Sequence, residues 1–534
     1  MSYIPPQSVV KLYSGIPLDA SYENTIYFAT RSAQASYFDS HRIFLLDDSQ
    51  WQRVNKNSMK VHRNANELDG CNYLSFTNYR ADTVSPRTYY AFVTEINYIN
   101  ENTTELIYEI DVMQSYLVNY DYVLQQCFVE REHQSTDIAG DNLVPENLQF
   151  GDIVINSGST VSELETRAII IAHTKGVEEG SVVPRVGATY NGTMSGLQLS
   201  VYADTPNGRN SAIEFLRTIN LAGFTVGEQC VCIYYAPMHF APVSTQSDDT
   251  RTITKRITKP EMIGSYTPYN KKLLTYPYNY LIVNNMMGKE NVYKFEFFDD
   301  TDARFQIIGN SMPNPSLYLT PINYKKASNA PEEGLELSGY PQCSWISDEF
   351  AAWLAQASIS TIGAVIGGVG AGAVGAMATA ESATELTEIA FNRGMESGVR
   401  ALNNVASNIL PALTNSISSH GNTPSTLKLK RGLLNYWFYN MQITEDYARR
   451  LDGYFNRFGY ACHKIKVPNV NVRDKWTFTK TVGCQIDGSV PSDFARKIES
   501  IYNKGITYWR YQSGIDNIIG KFVTSTGMVQ NNPL

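Results

Sequence analysis

The chain has 534 residues, 44 basic against 52 acidic side chains for a formal net charge of −8, and 43% hydrophobic residues. That length supports several domains with cores of their own, and the acidic balance argues against a nucleic-acid reader, which needs a basic patch or stripe. It leaves room for a conduit along which DNA slides, where weakly attracting walls are useful.

Seven cysteines at 71, 127, 230, 232, 343, 462 and 484 are odd in number and scattered. They suggest no disulfide framework, and folding in a reducing cytoplasm is expected. The opening MSYIPPQSVVKLYSG lacks the charged and apolar regions of a signal peptide. With 35 tyrosines and 12% aromatics, residues that favour pleated half-buried surfaces, the chain should be mainly β with α+β parts.

The first 160 residues read as strands. Their clearest hairpin is TYYAFVTEINYI and TELIYEIDVM joined by a four-residue connection, NENT. Tyr90, Phe92, Ile96 and Tyr98 alternate on one expected face, answered by Leu106, Tyr108, Ile110 and Val112. CFVEREH (Cys127–His133) follows as a strand, then a turn-rich stretch ending PENLQFGDIVI. From about 161 to 255 the character shifts to a compact α+β unit. ELETRAIIIAHT carries a buried strand at Ala168–Ala172, and NSAIEFLRTINLAG a short amphipathic helix closed by Gly223. A polar linker, STQSDDTRTITKR, is expected to bound that unit. A second β region runs to 349, from TPYNKKLLTYPYNYLIV through KFEFF to SLYLTPINY.

Then comes the most unusual stretch. Phe350 to Ala380 is 31 residues without a charge, ten of them Ala and six Gly. Beyond Phe350, Trp353 and Leu354 its large apolar residues are sparse: Ile359, Ile362, Val365, Ile366, Val369, Val374 and Met377, set among Gly363, Gly367, Gly368, Gly370, Gly372 and Gly375. A core helix of that length would carry more large side chains, each contributing roughly 1.5–3 kcal/mol on burial. Six glycines make it a poor autonomous helix in water. As a helix, residues 359–380 would span roughly 33 Å, about the hydrocarbon thickness of a bilayer. Without flanking Lys or Arg anchors it suits conditional rather than permanent membrane entry. The competing reading is a small-residue helix packed at an oligomer interface, or a flexible glycine loop. Gly370-Ala-Gly372-Ala-Val-Gly375 also matches a dinucleotide fingerprint, but no buried parallel strand follows to build the βαβ unit the fingerprint needs. Behind it, Leu386, Ile389, Val399, Leu402, Val405 and Ile409 recur at helical spacing before Pro411, and SISSHGNTPST closes the excursion.

The remaining hundred residues read as α+β. ITEDYARRLDGYFNRFGY is a helix ending at Gly459, then come strands HKIKVPNV and WTFTKTVGCQI, and a second helix at PSDFARKIESIYNKGITYW. Thr444, Glu445 and Asp446 are candidate caps for the first helix, and Ser492 and Asp493 for the second. The expected domains are 1–160, 161–255, 256–349, 350–425 and 426–534.

No catalytic constellation assembles. The chain has no G-x-S-x-G elbow, H-E-x-x-H pair or Walker A loop. Glu130, Glu132 and His133 fit a salt-bridge site at a strand end better than a metal site. Cys230 and Cys232 share an expected strand face but lack the second ligand pair that zinc needs. Neither enzyme activity, metal nor cofactor is expected.

Several stretches, in their order, resemble the distal tail-knob protein of small Picovirinae-type podoviruses, short-tailed phages of Gram-positive bacteria. They are YAFVTEINY with TTELIYEIDVMQSYL, FVEREH, ENLQFGDIV, TYPY, the Gly/Ala segment, HGNTPS, RRLDGYFNRFGYACHKIKVPNV and TKTVGCQIDGSVPSDFARKIESIYNKGITYW. The resemblance spans nearly the whole chain. It implies a tail-tube-like β-barrel body with an inserted domain and a long hydrophobic loop, here about 354–422. It further implies a homohexameric tube at the virion tail tip, joined to a proximal tail tube or lower collar. DNA would pass through it without sequence-specific binding, and the loops would plug the channel and then form a pore in the host cytoplasmic membrane. A tail hub or receptor-binding platform without pore activity is the alternative.

Overall fold

The structure is a computed structural model. It describes residues 8–78, 87–118, 121–173, 175–178, 181–184, 188–190, 193–195, 198–221, 230–241, 246–247, 252–286, 288–310, 316–337, 342–344, 435–524 and 527–534. The chain divides into two compact units, one of Met1–Asp152, Glu261–Thr275 and Ile443–Leu534, the other of Ile153–Pro260 and Tyr276–Gln442.

The first unit begins with β1 (Val10–Ser14), β2 (Asn24–Tyr27), α1 (Arg31–Ser40), β3 (Arg42–Leu46), β4 (Trp51–Asn55), β5 (Ser58–Val61), β6 (Cys71–Asn78), β7 (Arg87–Asn100) and β8 (Thr103–Ile110). After them come α2 (Val112–Tyr116), β9 (Tyr122–Leu124) and β10 (Cys127–Glu132). Seven strands form one antiparallel half-barrel in the order β3-β1-β6-β7-β8-β5-β4. Both of its faces are apolar, because alternate side chains point opposite ways. Val10, Leu12, Leu74, Ala91, Leu106 and Tyr108 fill one core. Tyr13, Tyr73, Tyr90 and Phe92 join a second, aromatic core with Phe38, Trp476, Tyr508 and Trp509.

The hairpin forms where expected, with two corrections. Its connection is Glu101-Asn102 rather than four residues, since pairing continues to Asn100↔Thr103. A bulge between Val93 and Glu95 also inverts the pleat. Thr94 is the extra residue, its hydroxyl donating to the Ile107 carbonyl at 3.1 Å. Tyr90 and Phe92 therefore face the aromatic core, while Ile96 packs with Val93 and Ala91 on the opposite side. Tyr98, near the tip, is 61% exposed.

A five-stranded sheet completes this unit in the order β2, Ile506–Arg510, Trp476–Val482, β10, Tyr460–Lys466. Two C-terminal helices form, Glu445–Phe458 as predicted and Ser492–Lys504 shorter than expected, because Gly505 at φ 97° ends it and the residues of GITYW continue as the strand Ile506–Arg510. Gly459 ends the first at φ 66°, and a Cβ there would lie 2.2 Å from the Glu132 carbonyl oxygen. The caps differ from expectation. Thr444 is an N-cap without a side-chain bond, and Pro491, not Ser492, caps the second helix, where its fixed φ suits the helix start.

The second unit holds three main sheets. Ile153–Ser159, Trp437–Ile443, Asn279–Asn284 and Glu290–Tyr293 form one. Gln198–Ala203, the buried Arg167–His173, Cys230–Pro237 and Gln342–Ser344 form another, beside the helix Pro206–Leu221. Between Ala172 and His173 the register shifts, setting Cys230 opposite His173 and Cys232 opposite Ala172. The predicted linker proves to be structural over its second half. Thr252–Thr258 pairs along its whole length with Asp302–Asn310, and Ile253 is buried. A Thr/Ile alternation among charges is a half-buried strand, and polarity alone misleads there. KFEFF forms a 3-10 turn at Phe295–Phe297, placing Phe295 and Phe298 in the core. The start of the expected second β region, TPYNKKLL, instead forms a 3-10 turn at Lys271–Leu274, and it belongs to the first unit.

Candidate functional site

The residues singled out for membrane activity, Ile359 through Met377, lie outside the described residues. The strands on either side of them are described. Upstream, Gln342–Ser344 pairs antiparallel with Cys232, Ile233 and Tyr234. Downstream, Asn435 is buried, and its side chain bonds the backbone of Val161 as a strand would, accepting its N–H at 3.1 Å and donating to its carbonyl at 2.9 Å. The Tyr436 hydroxyl, fully buried, reaches the Leu317 and Leu335 carbonyls at 3.0 and 2.9 Å. Phe438 enters the same core. Both roots of the segment are thus held by backbone pairing or core packing within the second unit. Among the described residues, no helix is long and apolar enough to cross a membrane.

The half-barrel has two open ends. Among the described residues, β3 and β4 each pair on one side only. Ile43 and Leu45 on β3 and Val54 on β4 are 38%, 52% and 48% exposed. Unpaired edges bearing apolar side chains invite another strand.

Inside the first unit lies a buried polar layer that ties the returning segment 261–275 to the body. Asp452, fully buried, accepts the Tyr266 hydroxyl at 2.6 Å, the Tyr269 and Asn270 amides at 2.7 and 2.9 Å, and Asn270 Nδ2 at 2.6 Å. Burial raises its pKa, and those four donors oppose the rise. The Glu146 carboxylate, 1% exposed, bridges Arg131 and Lys272 and accepts the Ala461 amide at 3.0 Å.

The acidic strand end is a salt-bridge site, as its sequence suggested. Glu130 pairs with Lys480 at 2.8 Å, and Glu132 accepts from Lys466 at 2.6 Å and from Asn469. No group of three potential metal ligands occurs among the described residues. His133 is buried with Nδ1 accepting the Phe478 amide at 2.7 Å and Nε2 donating to the Asn456 carbonyl at 3.1 Å, so it is held neutral. Burial, with Arg473 and Arg131 nearby, pushes its pKa down to about 3.

That arrangement predicts a pH dependence. Below the unfolded His pKa of about 6.5, the unfolded chain takes a proton that the folded chain refuses, so the His133 contribution falls by about 1.4 kcal/mol per pH unit as pH drops. Asp111 works in the opposite sense. Burial raises its pKa to about 6, so the folded chain gains stability as pH falls from there toward the unfolded value. Between pH 6 and 4 these two contributions should nearly cancel. His133→Gln should gain on the parent by about 1.4 kcal/mol for each unit of acidification. Parallel urea-unfolding profiles for the two proteins from pH 7 to 4.5 would exclude His133 as the acid-labile group.

Comparison with known proteins bears directly on these units. The model of the C-terminal domain of tail knob protein gp9 of Bacillus phage phi29 matches residues 242–522, more than half of the chain. The chain belongs to the gp9 tail knob protein family. A second model, the N-terminus of the caudoviral major tail protein, matches residues 6–121, the stretch that builds the half-barrel. Tail knob protein gp9 of Bacillus phage B103 is 22% identical, the match covering 95% of this chain and 98% of that one. The phi29 protein is 23% identical over the same shares. The bacteriophage C1 tail knob protein gp12 shares the fold, with a TM-score of 0.62, 14% identity and coverage of 94% and 97%. The gp9-family chain is thus a structural component of a podovirus tail, associated with other tail proteins.

Sequence reading missed the Glu146 and Asp452 anchors. Glu146 sits in the turn-rich PENLQF stretch and Asp452 mid-helix, 126 residues before and 182 after the partners that bury them. Only the Asp at a helix position flanked by apolar neighbours, in RRLDGYF, hinted at a buried charge.

Proposed function

We propose that the chain forms the distal tail tube of a podovirus as a homohexamer through which viral DNA leaves without sequence-specific binding. In this reading, residues 350–425 of each copy plug the channel and then enter the host cytoplasmic membrane as a pore. The observation that carries it is the uncharged 31-residue run Phe350–Ala380, in a chain that is 18% charged as a whole. The half-barrel with two open edges supports assembly. Pairing β3 of one copy near β4 of the next is a heterologous contact, and such contacts close into rings when the rotation permits. Six copies would carry a formal charge near −48, from −8 each, and an acidic wall keeps DNA from adhering. The remaining parts divide as 1–160 tube domain, 161–255 inserted domain, 256–349 second β region and 426–534 C-terminal domain, with the proximal tube or lower collar as neighbour.

Excision tests the reading. Residues 354–420, replaced by a short Gly/Ser linker, should leave folding and assembly intact, since Tyr436, Phe438 and Leu335 already complete the core beside the roots. Mass photometry should find hexamers of both proteins, about 359 kDa for the parent, six times 59.8 kDa, and lighter for the deletion by the excised residues of six copies. Only the parent should release dye from liposomes. An insoluble or monomeric deletion would make the segment part of the core. A parent hexamer that releases no dye would leave the tail hub or receptor-binding platform, with the segment as a seal.

A further inference from the structure

We propose that the first unit carries an oxyanion site, of phosphate-binding chemistry, in the cleft between the Asp137 turn, the Tyr269–Lys271 segment and the C-terminal residues 530–533, with Arg473 and Lys271 as its cations. The cleft holds about 410 Å³, room for a phosphate group with a small substituent.

Arg473 is the unusual group. It is only 3% exposed, yet it makes no ion pair among the described residues. Its Nη1 donates to the Asn531 carbonyl at a long 3.3 Å, and its Nε has no hydrogen-bond partner. Elsewhere in this unit buried cations are answered: Arg131 and Lys272 share Glu146. A buried guanidinium without an ion pair is costly, and a guanidinium edge matches the oxygens of a phosphate in a two-point contact.

Asp137 and the Tyr460 hydroxyl answer that charge only in part, by attraction without an ion pair. Asp137, the carboxylate of the cleft, is engaged at both oxygens, accepting the Tyr460 hydroxyl at Oδ1 and the Lys271 amide, at 3.2 Å, at Oδ2. The Lys271 ammonium also has no ion pair among the described residues. With Arg473 and Lys271 against Asp137, the cleft carries one positive charge in excess, in a chain whose total is −8. Two cations from separate segments suit a tetrahedral dianion better than a single carboxylate.

The test uses the full-length protein and inorganic phosphate, with sodium chloride at matched ionic strength and sodium acetate as comparison arms. Phosphate should raise the unfolding temperature above both, and ³¹P line broadening should report the same binding. Lys271→Glu, at a half-buried position, should unfold like the parent without phosphate but bind it at least about tenfold more weakly, because attraction becomes repulsion. Arg473→Gln should abolish binding where it folds. Phosphate acting no better than chloride overturns the site, as does a Lys271→Glu protein that binds like the parent. A response to acetate alone overturns the phosphate assignment.

Discussion

Glu146→Ala is expected to cost the first unit about 3–5 kcal/mol, because it strands two buried cations at once. Arg131 is a buried residue, the Lys272 side chain is 4% exposed, and Glu146 is the carboxylate that bridges them. The same substitution also orphans the Ala461 amide at the start of an edge strand. For a unit of this size the melting temperature should fall on the order of 10 °C. Trp476 and Trp509, packed 5.1 Å apart in the aromatic core, provide a fluorescence signal for its unfolding. The control is Glu130→Ala. Its pair with Lys480 is about a third exposed on each side, so screening and side-chain entropy should hold the loss below about 1 kcal/mol. Equal losses in the two variants would mean that the Glu146 layer is hydrated, not buried.

The contrast between those glutamates marks where sequence reading succeeds and where it stops. Glu130 and Glu132 were legible as a salt-bridge site because they alternate on one strand with a basic strand beside them. Glu146 was not, because what buries it comes from segment 261–275, and nothing local signals that return. The same division holds for the fold. Continuous apolar runs such as RAIIIAH and the first C-terminal helix carry their structure locally, in an unbroken apolar stretch and in the stop at Gly459. The face of Ile96 does not, since one bulge at Thr94 inverts the pleat without altering the pattern of residues. The strand Thr252–Thr258 was hidden by its Lys, Arg and Thr content, which suits a sheet with one polar face as well as it suits a linker. For the uncharged segment, composition itself is the signal, and the proposed role rests on what Ala, Gly and sparse β-branched residues do in water and in lipid.

That role yields the sharpest functional expectation, carried by Val369. On a helix, Ile362, Val365, Ile366 and Val369 form one narrow apolar stripe. Gly363, Gly367, Gly368 and Gly370 flank it, small residues that let helices approach closely in a membrane. An aspartate at 369 would lie near the middle of a span from 359 to 380. A charge there costs on the order of 2.5–3.5 kcal/mol on insertion scales. A hexamer inserting six such segments meets that cost six times, so dye release from liposomes should fall to near background. Before insertion the same residue would face a water-filled channel, where an added carboxylate is well solvated. Val369→Asp should therefore assemble in the parent's yield and melt at the parent's temperature while losing leakage. A variant that leaks as fast as the parent would mean that the stripe never enters lipid. One that fails to assemble would mean that the stripe packs inside the tube, and pore formation would then have to reside elsewhere in 350–425.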